Sequence, residues 1–246
     1  MSEASAVSGA AAVSGAAAAG GGAPSRSAGR PEKRRLITAA ARRVFGAEGY
    51  ARASVDDIAA EAGVSKRTVY NHFGDKESLF LAVALEGAHE VTATIARLLE
   101  KHLRKVVDVR DDLTAFALDR VAAVGEFPDH FALVRAIEAE APRMPGPVLA
   151  AWIEAGPQTG HLRLAPYLAA MADRGLLTLD DAAGTESPAE RAADHFNLLT
   201  VVNVNQRTFY GAVPLPGERV TELVVDGVRA FLRLYGAPPE PAVGHP

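Results

Sequence analysis

Residues 54–73 read SVDDIAAEAGVSKRTVYNHF, and this stretch decides the fold. Ser54 offers an N-cap oxygen with Asp57 three residues on, close to a capping box. Val55, Ile58, Ala59 and Ala62 recur at i, i+3, i+4 and i+7, so one face of a helix turns inward. Gly63 ends that helix, and Ser65 then caps a second one, KRTVYNHF. Two short helices across a tight glycine turn form a helix-turn-helix, whose second helix enters the major groove of DNA. Within it Val69 and Phe73 lie four apart and face Ile58 and the segment Leu36 to Phe45. Thr68, Asn71 and His72 fall on the opposite, exposed face, with Lys66 and Arg67 in the first turn. The same pattern also describes a helical corner whose polar residues simply face water.

Upstream, Leu36, Ile37, Ala40, Val44 and Phe45 line one face of a helix that begins at Arg30, and Gly49 is a plausible stop for it. Before it, residues 1–29 hold 11 Ala, 6 Gly and 6 Ser, too little apolar surface to offset ordering entropy, so a disordered tail is expected. Downstream, Asp75 starts a long helix with Leu79, Phe80, Val83, Val91, Ile95, Leu98 and Leu99 on its apolar side. The remaining two-thirds predicts helices near 109–124, 127–141, 146–174, 188–211 and 217–235, punctuated by Pro and Gly groups. No sustained period-2 run occurs, and no repeat. The fold class expected is all-α: tail 1–29, a helix-turn-helix domain 30–80 with its motif at 54–73, a larger helical domain 81–236, and a tail 237–246.

Composition narrows the function. The 246 residues carry a net charge of −4 and no cysteine, which excludes disulfides, thiolate metal sites and cysteine nucleophiles. Charge is unevenly shared: residues 1–80 hold 11 Lys/Arg against 8 Asp/Glu, while the remainder holds 15 against 22. Between Arg26 and Arg43 seven basic residues face only Glu32. A basic end on an acidic body suits contact with a polyanion, or a merely solvated face. The uncharged run Ala4 to Ser25 is too polar and glycine-rich to span a bilayer, and it lacks the basic segment of a signal peptide. A cytoplasmic protein without a membrane partner is expected. The seven histidines form no HExxH and no paired metal spacing, and no phosphate loop is present. Acid pairs such as Glu138/Glu140 and Asp180/Asp181 read as solvated charge. No enzyme, metal or cofactor is expected.

The exposed set of the second helix has the donors a duplex needs. Lys66 and Arg67 can reach guanine O6/N7 or phosphate, Asn71 can pair with adenine, and the Thr68 methyl can meet that of thymine. Tyr70 and His72 suit phosphate oxygens, and the helix start around Lys76 can receive another phosphate. Arg26, Arg30, Lys33 and Arg34 form a basic arm that can add phosphate or minor-groove contacts, or serve only as a basic linker.

The run RRLITAAARRVFGAEGYARASVDDIAAEAGVSKRTVYNHFGDKESLFLAV (34–83) resembles the N-terminal domain of the TetR family of transcriptional regulators. The matching features are Ala39-Ala40, Phe45, Gly49-Tyr50, Ser54-Val55, Ile58-Ala59, Ala62 to Ser65, Thr68, Tyr70, His72-Phe73, Lys76-Glu77 and Leu79. Arg67 departs from the small residue many members carry there. The resemblance implies an all-helical homodimer on a palindromic DNA operator, with Ser54, Ser65, Lys66, Thr68, Tyr70, Asn71, His72 and Lys76 as DNA contacts. It also implies a repressor released when a small molecule binds the C-terminal domain and shifts the long fourth helix. The pattern LVRAIEAEAPRMP (133–145), Gly156-Pro157, Gly175 to Leu177, Asp180 and AADHF (192–196) is similar to the AefR-like type of C-terminal domain.

For a largely apolar effector the candidates are Phe116, Phe127, Phe131, Trp152, His195, Phe196, Asn203 and Phe209, with His195 and Asn203 as the polar groups. Aromatics at helical spacing also fit a plain core, and His195 a hydrogen-bonded core histidine. The stripe Val220, Leu223, Val224, Val228, Phe231, Leu232 and Tyr235 suits a four-helix dimer contact or the monomer core. The competing functions are a non-specific architectural DNA-binding protein without effector, an activator, or, least, a helical enzyme.

Overall fold

The computed structural model describes residues 29–179 and 187–237. The expected terminal tails, apart from Gly29 and Ala237, and the arm residue Arg26 therefore lie outside the described residues. Helix α1 (Gly29–Arg52) buries Ile37, Ala40, Ala41 and Phe45 and bends at Gly49, where φ is 81° and ψ 169°. A side chain there would also run into the Glu140 carboxylate, so glycine answers both the backbone angle and the close approach. That carboxylate accepts from the Ala51 amide at 3.0 Å.

Helices α2 (Val55–Glu61) and α3 (Lys66–Phe73) are each N-capped by a serine, Ser54 accepting from the Asp57 amide and Ser65 from that of Thr68. Each cap satisfies an amide with no partner inside the helix. Val55, Ile58, Ala59, Val69 and Phe73 are buried, as the spacing predicts. Asp75 caps α4 (Lys76–Leu103) through the Ser78 amide at 2.7 Å. Among the described residues α4 is the helix long and apolar enough to cross a membrane, but Phe80, Val83, Ile95 and Leu99 are buried inside this fold.

The larger region follows with α5 (Val109–Ala122), α6 (Pro128–Glu140), α7 (Gly146–Ile153), α8 (Thr159–Leu162), α9 (Ala165–Asp173), α10 (Pro188–Asn197), α11 (Asn203–Thr208) and α12 (Gly217–Tyr235). Among the described residues there is no strand, only an isolated bridge between Leu177 and Gly236. The single helix expected over 146–174 is broken. Residues Glu154–Gln158 widen into a π-helical turn before the short α8, and a new helix starts at Ala165. Pro157 has no amide to donate, and Pro166 sits in the first turn of α9 as a helix start. A second π-turn, Leu198–Val202, joins α10 to α11. Helix α11 closes on two left-handed residues, Phe209 (φ 47°) and Tyr210 (φ 49°), whose carbonyls both accept from Arg135 of α6.

Two apolar clusters share α4. One joins Phe45, Ile58, Val69 and Phe80 of the first four helices to Leu133, Ile137, Val148 and Trp152 of α6 and α7. The other gathers Ile95, Leu113, Phe116, Leu168, Phe196, Val228 and Phe231. The helix-turn-helix core thus continues into the larger region through α6. Five residues of the stripe on α12, Leu223, Val224, Val228, Phe231 and Tyr235, are core within one chain, and Val220 and Leu232 are half-buried against it. Large apolar side chains exposed in the last third of the described chain are Leu198, Phe209, Val213 and Leu234.

Candidate nucleic-acid interface and effector cavity

On α3 the cap and the two buried anchors fix which side chains look outward. Lys66, Arg67, Tyr70 and Asn71 are exposed, while Thr68 and His72 are half-buried. The hydroxyls of Ser65 and Thr68 lie 2.8 Å apart at the start of the helix. Ser54 is half-buried at the start of α2 and holds the Asp57 amide at 3.1 Å. Lys66 Nζ meets Asp56 at 2.7 Å, but both groups are open to water, where such a pair is weak and readily exchanged for a phosphate. Lys76 begins α4 with its ammonium 4.7 Å from the centre of the Tyr50 ring and 3.4 Å from the Ala51 carbonyl oxygen.

The described part of the basic arm, Arg30, Lys33 and Arg34, lies beside this helix. These residues occupy the first turns of α1, and the Arg34 guanidinium stacks 4.4 Å over the Phe73 ring. Partial burial holds the His72 pKa below the usual imidazole value, and Arg30, Arg34 and Lys33 lower it further. The positive start of α1 and the end of α3 therefore form one electropositive surface beside the exposed residues.

The second feature is a cavity of about 450 Å³ enclosed mainly by α4, α5, α6, α7 and α10–α11, within the size range of small-molecule sites. Of the aromatic and polar candidates, Phe131 and Trp152 stand on its wall. Phe116 and Phe196 are fully buried and packed together, ring centres 6.1 Å apart. His195 Nδ1 bonds the Tyr235 hydroxyl at 2.7 Å, and Asn203 accepts from Arg207. Phe127 is half-buried before α6, and Phe209 is exposed. None of these last six reaches the wall. Polar wall residues missed by sequence reasoning are Thr92, Arg120, His130, Glu138, Asp194, Asn197, Asn205 and Tyr210. One signal was available: Leu113, Phe116, Ala117 and Arg120 repeat at i, i+3, i+4 and i+7, which sets a cation on the apolar face of α5. Among the described residues no group of three or more His, Asp or Glu converges as a metal site would require.

A capped helix-turn-helix with an exposed polar reading face, joined to a larger helical region around a cavity, defines a DNA-binding transcriptional regulator. Residues 37–83 match the bacterial regulatory proteins of the tetR family, and residues 111–237 the AefR-like transcriptional repressor C-terminal domain. The second match alone covers more than half of the chain, and the chain belongs to the TetR family. A crystal structure assigned to the TetR-family regulators, from Mesorhizobium loti MAFF303099, superposes with a TM-score of 0.71 at 31% identity, covering 84% of this chain and 98% of that one. The HTH-type transcriptional repressor AcnR of Corynebacterium efficiens is 41% identical over 63 residues, 26% of this chain and 34% of AcnR. The HTH-type transcriptional activator FasR of Mycolicibacterium smegmatis is 36% identical over 101 residues, 41% of this chain and 42% of FasR. The chain thus spans well under half the length of these two curated relatives.

Proposed function

We propose that the protein is a cytoplasmic repressor that binds a palindromic operator as a homodimer and leaves it when a largely apolar small molecule enters the cavity. The observation that carries this reading is the position of α6. One side of α6 supplies His130, Phe131 and Val134 to the cavity wall. Its other side packs on α1, with Gly46 fitted against Ala132 and Leu133 and Glu140 holding Ala51. A ligand that favours one arrangement of α6 thereby biases the tilt of α1 and α3, and it acts only through its differential affinity for the two states. Half-sites must lie about one helical turn apart, roughly 34–36 Å, so a small tilt removes one reading helix from its groove. The apolar Leu198, Phe209, Val213 and Leu234, left exposed toward the C-terminal end, suit burial against a second copy.

The test is an anisotropy titration at about 150 mM salt with the protein's own upstream intergenic DNA and scrambled DNA of equal length. Roughly a thousandfold discrimination is the expected result. Equal affinity with a steep salt slope would identify a non-specific architectural protein instead, and a reporter on the same DNA separates repression from activation. Two substitutions sort the contacts. Asn71→Ala should cost about 1–3 kcal/mol and relax preference at one base pair, whereas uniform weakening across all sequences would deny it a base-reading role. Lys76→Ala should weaken every duplex alike and lower the salt slope by about one unit; a sequence-dependent loss would count against a phosphate contact.

A further inference from the structure

Four buried side-chain nitrogen or oxygen atoms among the described residues lack a hydrogen-bond partner, and three belong to residues of the cavity wall: Arg120 Nη1, His130 Nδ1 and Asn197 Oδ1. Native interiors seldom leave such atoms unpaired without a reason. His130 Nδ1 has a steric one, since it abuts Gly87 of α4, where any added carbon would overlap it. Asn197 Oδ1 calls for a donor that a hydroxyl or a water can supply. Arg120 differs in kind: the residue is half-buried, with Nη1 sealed from water. Its guanidinium stays protonated, with five donors and no ability to accept. Its Cζ lies 5.8 Å from the centre of the Phe116 ring. Burial alone pulls its pKa down to about 10, with no carboxylate acting on it. Two carboxylates do stand on the same wall, Glu138, which takes a hydrogen bond from the Tyr210 hydroxyl, and Asp194. A buried charge without a counter-charge is costly, and a bound anion relieves that cost.

We propose that the cavity recognises an apolar small molecule ending in one carboxylate, with the carboxylate held by Arg120 and the apolar body against Val91, Ile95, Val124, Val134 and Trp152. The inference rests on reading the cavity as the effector site and adds the chemical class of the effector. A charge-assisted pair with a guanidinium is directional and strong in apolar surroundings, so it selects acids over alcohols of the same shape.

Trp152 is the chain's sole tryptophan and lies on the wall, so its fluorescence reports occupancy of this cavity. The full chain is titrated at neutral pH with decanoate against 1-decanol and with 4-phenylbutyrate against 4-phenyl-1-butanol. The acid of at least one pair should bind roughly tenfold or more tighter than its alcohol, as hydrogen bonds to charged groups allow. R120M should abolish that preference while the alcohol binds at least as well as before. R120M should also melt no lower than the parent, because it removes an unpaired charge; if it does not fold, R120K, with the charge but not the fork, should keep only part of the preference. Equal binding of acid and alcohol would overturn the anchor and leave the cavity as an effector site. An acid preference that survives in R120M would place the anchor elsewhere. Silence of Trp152 to all four probes overturns the proposal, and the DNA-release assay then decides separately whether any effector exists.

Discussion

Phe196→Ala should cost about 3–5 kcal/mol, the range for deleting a buried phenyl ring. Phe196 is fully buried, with its ring edge-on to Phe231 at 5.2 Å and stacked on Phe116 at 6.1 Å. It therefore ties α10 to both α12 and α5. At roughly 2–4 °C per kcal/mol for a domain of this size, the melting temperature should fall by about 6–20 °C. Trp152 quenching by ligands should survive wherever the variant remains folded, since Phe196 does not reach the cavity. A fall of only a few degrees together with lost quenching would instead put Phe196 on the ligand's side of the wall.

The same residue shows where sequence reading runs out. The helix-turn-helix was legible because its determinants are local. Ser54 and Ser65 cap, Gly63 turns, and Val69 and Phe73 share a face by spacing alone, so the buried side and the exposure of Asn71 followed without knowledge of any other helix. Thr68 and His72, expected to be exposed, are instead half-buried. The cavity depends on which helices converge, and that is a long-range property. Phe116, Phe131 and Phe196 look alike in sequence; only the packing of α5, α6, α10 and α12 makes Phe131 a wall residue and the other two core. The break in 146–174 had its signal in Gly156-Pro157, but a π-turn and a chain stop read alike there. Arg120 was hidden for the opposite reason, since a cation on an apolar face departs from the pattern that identifies cores. Such departures are where binding sites are to be expected.

Mild acid should destabilise the folded protein through His130 before its carboxylates respond. The imidazole is buried on α6 against Gly87 of α4. Burial, assisted by Arg42 and opposed by Glu90, lowers its pKa from 6.5 to about 4. The unfolded chain therefore binds a proton between those values that the folded chain refuses, and stability is lost as pH falls through that window. Two and a half units correspond to about 3 kcal/mol in total. Asp75, Asp119 and Glu190 also have lowered pKa values, through hydrogen bonds from Ser78, from Lys101 and His102, and from Ser187 respectively. Their stabilisation persists above the ordinary carboxylate pKa and fades only below it, under most of the His130 window. His72 is shifted in the same direction but is only half-buried, so it contributes less. Melting curves at pH 7.5, 6 and 5 on the parent and on His130→Leu isolate the effect. Leucine removes an orphaned Nδ1 at similar bulk, so it should be near neutral at pH 7.5 and should flatten most of the acid loss. An equal fall in both proteins would mean that another group carries the acid sensitivity and that the α4–α6 contact tolerates the charge.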